Sequence, residues 1–182
     1  INEHGWPYDR PSSYAPDLLE DTGVTVHVTI RGEQVPVRVW KVDCFHNAPL
    51  YLLDTAVPGS SYDWVTRRLY GGTSHDRVAQ EIVLGIGGIR ALEALGHTVD
   101  VYHFNEGHAA LAGIELIRRR KAMGMTFHEA LEATRREVVF TTHTPVMAGN
   151  EEHDLELLEY MGAFNGLSWH EMEQIGGDPF NM

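Results

Sequence analysis

Apolar residues fall on alternate positions in the first third of the chain and at helical spacing after it. Val24, Val26, Val28 and Ile30 are separated by Thr25, His27 and Thr29, the period-two pattern of a strand with one buried face. Arg31-Gly32-Glu33-Gln34 supplies a turn, and Val35, Val37 and Val39 alternate again toward Val42. The pair predicts a β-hairpin. Pro36 has no N–H to give a ladder, so its strand is expected at a sheet edge. The run from Pro49 to Asp54 predicts a third strand. Before the hairpin, Pro7, Pro11 and Pro16 among aromatic and polar residues indicate an extended surface segment.

Past Gly59-Ser60-Ser61 the period changes. Thr73-x-x-Asp76 has the spacing of a capping box, and Val78, Ile82, Ile86, Ile89 and Leu92 or Leu95 recur on one helical face ending at Gly96. Gly85, Gly87 and Gly88 lie inside this helix, where small residues suit close packing against a neighbouring backbone. They lack the G-x-G-x-x-G spacing and follow no strand, which disfavours a nucleotide loop. A strand over 99–104 comes next, then a helix from Gly107 to Lys121 stopped by Gly124. Thr126-x-x-Glu129 opens a helix to Arg136, and a strand over 138–142 follows. A helix from Glu152 to Met161 precedes a short one capped by Ser168-x-x-Glu171, with Leu167 and Met172 placed as a hydrophobic staple. The order predicts an α/β fold with a parallel sheet flanked by helices, preceded by a β-hairpin region. The expected division is a β-rich part over 1–68 and an α/β part over 69–182.

Composition narrows the classes of function. The formal net charge of −12 argues against a nucleic-acid backbone binder, while a small anionic substrate stays compatible with a locally basic pocket. Cys44 is the only cysteine, so no intramolecular disulfide can form; it is expected as a small buried hydrophobe in a reducing, cytoplasmic setting. No apolar run approaches the ~20 residues of a membrane span, and no signal sequence is present. The chain starts at Ile1 and stops at Pro179-Phe180-Asn181-Met182, which is expected of an interior piece of a longer protein.

Candidate chemistry gathers where the two inner strands stop. The first runs into Asn105-Glu106-Gly107-His108 and the second into Thr141-Thr142-His143-Thr144. Ligands of open α/β sheets sit outside the carboxyl ends of strands, so the two ends predict one polar pocket. Gly107 is expected to make the sharp turn from strand to helix. Asn105 and Glu106 offer the mixed donors and acceptors that sugar hydroxyls require, or else simply cap the helix. His103, His108 and His143 could converge on zinc, but there is no i, i+4 pair, no H-E-x-x-H and no cysteine beside them; no metal is expected. His103, inside an apolar strand, is expected as a satisfied core histidine. His143, before the structure-ending Pro145, is the first candidate.

Several segments resemble the α-glucan (glycogen, starch or maltodextrin) phosphorylases. They are NEGHAAL at 105–111, FTTHTPVMAGN at 140–150, LYGG at 69–72 with QEIVLGIGGIRAL at 80–92, and GGDPFNM at 176–182. The matches keep their order; VPVRVW at 35–40 and LLDT at 52–55 match more loosely. The resemblance implies a partial Rossmann-like domain of GT-B type, an incomplete N-terminal fragment of a two-domain enzyme that phosphorolyses α-1,4-glucan to glucose 1-phosphate. It implies glucan and phosphate as partners, no nucleic acid or membrane, and compatibility with a homo-oligomer. His143 would be catalytic, its carbonyl facing oxocarbenium-like charge and its side chain a sugar hydroxyl; Asn105, Glu106 and His108 would bind substrate. Many family members carry Asp where Glu106 stands, and the loop at 70–75 is shorter than in the animal enzymes. The implied cofactor is pyridoxal phosphate, whose lysine lies outside this chain; Lys41 and Lys121 match no such motif. The isolated chain is therefore expected to be inactive. The rival expectations are a nucleotide-sugar glycosyltransferase such as a glycogen synthase, and a non-catalytic carbohydrate-binding module using Trp6, Trp64 or Trp169.

Overall fold

The structure, a computed structural model, describes residues 3–5, 18–44, 46, 48–68, 72–144 and 151–182. The proline-rich start, residues 69–71 of the glycine loop, Trp6 and the Pro145–Asn150 stretch lie outside the described residues.

Strands β1 (Glu20–Ile30), β2 (Glu33–Val42) and β3 (Leu50–Asp54) form one antiparallel sheet in the order β1-β2-β3. The alternation works as expected: Val26, Val28, Ile30, Val35, Val37 and Val39 are all buried on one face. Each such side chain contributes about 1.5–3 kcal/mol on burial. Pro36 sits opposite His27 in the central strand, not in an edge strand. It is tolerated because β3 pairs with β2 only from Arg38 to Val42, so at Pro36 the strand has a neighbour on one side alone. Cys44 is exposed rather than buried, since it lies past the end of β2.

The long helix is three pieces in line: α1 (Ser74–Glu81), a π-helical turn at Ile82–Gly87, and α2 (Gly88–Ala94). It packs the buried Val78, Ile82 and Ile86 beneath the sheet. The glycines let two backbones approach. A Cβ on Gly85 would lie 2.7 Å from the backbone nitrogen of Ala112, and one on Gly87 would lie 3.3 Å from Val28 Cγ1. Gly96 (φ +78°) ends the helix with bonds from Gly96 N to Glu93 O and His97 N to Leu92 O, a Schellman stop.

Strand β4 (Tyr102–Asn105) pairs parallel with β5 (Val138–Thr141), joined through α3 (Leu111–Ala122) and α4 (Phe127–Glu137). Thr126 and Glu129 close the expected capping box at the start of α4. A small core of Ile89, Phe104, Ala112 and Leu116 lies under this pair. Both faces of β5 keep apolar surface open: Val139, on the side of His103, is 51% exposed, and Phe140, on the side of Phe104, is 50% exposed. The expected helix from Glu152 begins later. Glu152 and His153 form β6, paired antiparallel with β7 (Phe180–Asn181), and α5 (Leu155–Met161) starts after the N-cap Asp154. Helix α6 (Trp169–Gly176) carries the Ser168–Glu171 capping box, with Leu167 and Met172 both buried. Among the described residues no helix is long and apolar enough to cross a membrane.

Candidate functional site

The parallel pairing sets Asn105 directly opposite Thr141, so the two strands stop side by side. Beyond them the chain at Glu106 takes φ 60° and ψ −173°, a conformation costing a non-glycine residue about 1–3 kcal/mol. The sharp turn thus occurs at Glu106, not at Gly107. Gly107 serves instead as a point of close approach: a Cβ there would lie 2.9 Å from Met182 Cβ and 3.2 Å from its carbonyl carbon.

The unusual backbone aims the Glu106 carboxylate away from the helix it precedes. Oε1 accepts a hydrogen bond from the His143 N–H at 2.5 Å and from the Thr144 hydroxyl at 3.2 Å. The Glu106 N–H in turn donates to the Thr141 carbonyl at 2.9 Å. Glu106 therefore does not cap the helix; it ties one strand end to the other. The backbone bond from His143 is the main reason its pKa lies below the ordinary carboxylate value.

A second cluster lies beside this turn. Arg77, on α1, donates from Nε and Nη2 to both oxygens of Glu151, at 2.7 and 2.9 Å. The same Nη2 stands 3.1 Å from His108 Nδ1. Glu81, 2% exposed, meets His153 Nε2 at 3.0 Å through Oε2. Its Oε1 is buried without a hydrogen-bond partner among the described residues, with Arg77 Nε 3.6 Å away. Burial is the main cause of the raised Glu81 pKa, only partly opposed by the His153 bond. Burial works to lower His153, but the bond to Glu81 and the nearby carboxylates outweigh it and raise the imidazole. Burial would raise Glu151, yet Arg77 prevails and holds it low.

Glu81, Glu151 and His153 offer ligand atoms within 4.8 Å of one another, the spacing of a candidate cation site. The Arg77 guanidinium already meets both carboxylates, supplying the positive charge a cation would bring.

The four expected site residues divide between these two clusters. Glu106 and His143 are in direct contact, and Asn105 stands exposed at the β4 end beside them. His108 faces the Arg77 cluster and, with Arg77 and Glu81, forms the polar end of a largely apolar groove of about 630 Å³. The groove's walls include Leu53, Leu84, Leu92 and Phe104. His103 is not a core residue. It lies on the open face of β4, exposed, with Nε2 2.7 Å from the Thr141 hydroxyl, because only the Phe104 side of that short strand meets α3. The rings of His103 and His108 thus have separate partners, Thr141 and Arg77. Sequence reasoning missed Arg77, Glu81, Glu151 and His153. The one local signal was Arg77 and Glu81 four residues apart on a helix.

No protein-family model matches the chain. It is 40% identical over 176 residues to the glycogen phosphorylase of Mycobacterium tuberculosis, spanning 87% of this chain and 20% of that protein. It is 40% identical over 163 residues to the maltodextrin phosphorylase of Thermococcus litoralis, spanning 86% of this chain and 20% of that one. An uncharacterized protein of Methanocaldococcus jannaschii is 38% identical over 170 residues, 91% of this chain and 31% of its own length. The chain is thus homologous to a segment of the glycogen and maltodextrin phosphorylases, as its motifs suggested, and spans about a fifth of their length.

Proposed function

We propose that this chain is part of the N-terminal domain of a retaining α-1,4-glucan phosphorylase, which transfers the terminal glucose of a glucan to phosphate. One observation carries the reading: Glu106 holds the His143 N–H and the Thr144 hydroxyl against the neighbouring strand end. Contacts on both sides of His143 make its carbonyl a fixed dipole. A fixed dipole facing positive charge on the sugar stabilises an oxocarbenium-like transition state without reorganising. The His143 ring would hold a sugar hydroxyl, with Asn105, Glu106 and His108 lining the same subsite. A pair of catalytic carboxylates is not needed, unlike in most glycosidases, and Glu106 is not a nucleophile.

The 69–182 part would be one portion of a Rossmann-like domain of GT-B type. Support comes from apolar surface left open on both faces of β5, at Val139 and Phe140, since parallel sheets are normally covered on both faces. The proposed cofactor is pyridoxal phosphate, which would supply the proton-shuttling phosphate. The residues of this chain do not hold it: Lys41 pairs with Asp43 in the hairpin sheet and Lys121 with Glu171. Another part of the proposed cytoplasmic parent would carry the cofactor and the second wall of the cleft.

The test is phosphorolysis of maltoheptaose by the longer protein carrying this segment, loaded with pyridoxal phosphate. Glucose 1-phosphate should form, and His143→Ala should slow it about 100-fold or more with the circular dichroism unchanged. No product from the wild type would remove this reading and leave a nucleotide-sugar glycosyltransferase as the one to test. The 182-residue chain alone should form none.

A further inference from the structure

The geometry points to Arg77 as the positioning residue of this site, an inference that rests on the phosphorylase reading. Glu106 ties the two strand ends to each other, but the pair they belong to is only four residues long on each strand and has a small core of its own. Something must fix that pair against the main body. Arg77 is placed to do so. It projects from α1, whose Val78 and Ala79 are fully buried in the main core. One guanidinium reaches His108, just after the first strand end, and Glu151, where the described chain resumes after the second. Glu106 holds residues 143 and 144 and Arg77 holds residue 151, so the chain leaving β5 is anchored on both sides to elements around one turn.

The contact with His108 has a chemical consequence. Arginine can only donate, so Nδ1 of His108 must be the acceptor. The ring proton is then on Nε2. An imidazolium would set N–H against N–H at 3.1 Å. Arg77 thus selects the tautomer of one expected substrate-binding residue while it orients the chain beside another. A lysine could keep the charge but not the planar fork that serves Glu151 and His108 together.

The experiment compares Arg77→Lys and Arg77→Met with wild type in the longer, cofactor-loaded protein. Both variants should raise the KM for maltoheptaose and lower kcat, about 10-fold in kcat/KM or more, leaving the KM for phosphate close to wild type. A merely structural role would lower kcat in proportion to folded protein and move neither KM, which would overturn the proposal; so would full rescue by Arg77→Lys. If both variants fold poorly, Glu151→Gln, which keeps one acceptor oxygen, should show the same split more weakly, and wild-type kinetics there would also overturn it. Nitrogen-15 spectra of labelled histidine give a readout independent of turnover. Wild type should show His108 with its proton on Nε2 and the Arg77 variants a mixture of tautomers, whereas a wild-type proton on Nδ1 would sink the inference. If the wild type makes no glucose 1-phosphate, the phosphorylase reading fails while the tautomer measurement still judges Arg77.

Discussion

Glu115 and Glu81 are both buried in this chain, 0% and 2% exposed, and their surroundings treat the charge in opposite ways. Glu115, on α3, is caged by donors. Arg118 bonds both of its oxygens at 2.8 and 2.7 Å, Arg119 reaches it at 2.9 Å, Arg90 at 3.2 and 3.1 Å, and Asn165 at 2.6 Å. Burial alone would raise this carboxyl, but the hydrogen bonds outweigh it and hold it well below the usual carboxylate range. Arg90 also donates to the His27 carbonyl at 2.7 Å, so the cage joins the hairpin sheet, the long helix and α3. Glu81 has one hydrogen bond and one unpartnered oxygen. Its group of Arg77, Glu81, Glu151 and His153 is electrically neutral only when one proton resides on His153 or Glu81. The cage carries surplus positive charge and serves the fold; the second group balances its charge only with a proton bound and borders the site.

The largest test of this contrast is Glu115→Ala. Removing the anion leaves three guanidiniums side by side without the carboxylate they share, and urea unfolding should show a loss of about 3 kcal/mol. This is the lower end for a broken buried pair because the arginines are partly exposed, 22–36%. A loss under about 1 kcal/mol would mean the cage is not what joins the layers.

Glu81→Gln should cost far less at pH 7, within about 1 kcal/mol, since the carboxylate it replaces is underpaired already. The same variant separates the two groups by pH. His153 is raised above its ordinary 6.5, so its contribution is full below that value and fades as pH rises through the folded pKa. Glu81 is raised too and works in the same direction. Glu115 is lowered, so its contribution is full above the ordinary 4.5 and fades as pH falls from there toward the folded pKa. Wild type should therefore lose stability as pH rises, the Glu81 share from 4.5 upward and the His153 share from 6.5 upward, and Glu81→Gln should flatten that limb while leaving the Glu115 acid limb in place. An unchanged alkaline limb would show that the Glu81–His153 pair is not its source. The floor of the comparison is Arg135→Ala, which breaks an exposed pair with Glu132 and should change stability by less than about 0.5 kcal/mol.

What could be read from the sequence was whatever depends on near neighbours. Alternation at 24–39, the capping boxes at Thr126 and Ser168, and the stops at Gly96 and Gly124 need only a few adjacent residues, and all are found. Gly85 and Gly87 were legible as places of close approach, though not as a π-helical turn. The failures were long-range. Two-residue β6 exists only because Phe180 and Asn181 return beside it. His103 and Cys44 were misplaced because nothing nearby says which surfaces stay uncovered. Glu106 has the right identity for a helix cap, and only the arrival of His143 from 37 residues away turns it elsewhere. Arg77 and Glu81 carry charges at the spacing of an ordinary solvent-facing pair, so their burial was invisible.

The π-helical turn at Ile82–Gly87 bears on how this segment can change over time. Such a turn amounts to one extra residue accommodated in a helix. Arg77 lies before it and Arg90 after it, one serving the strand ends and the other the Glu115 cage. The wider turn absorbs that residue without rotating its flanks, whereas an insertion or deletion in the regular helical turns between Arg77 and Arg90 would rotate everything beyond it by about 100° relative to α1. Either the site or the cage would then lose its arginine. Insertions and deletions should be tolerated in the surface connections of this chain and purged here, where the count of residues sets the angle between two separate tasks.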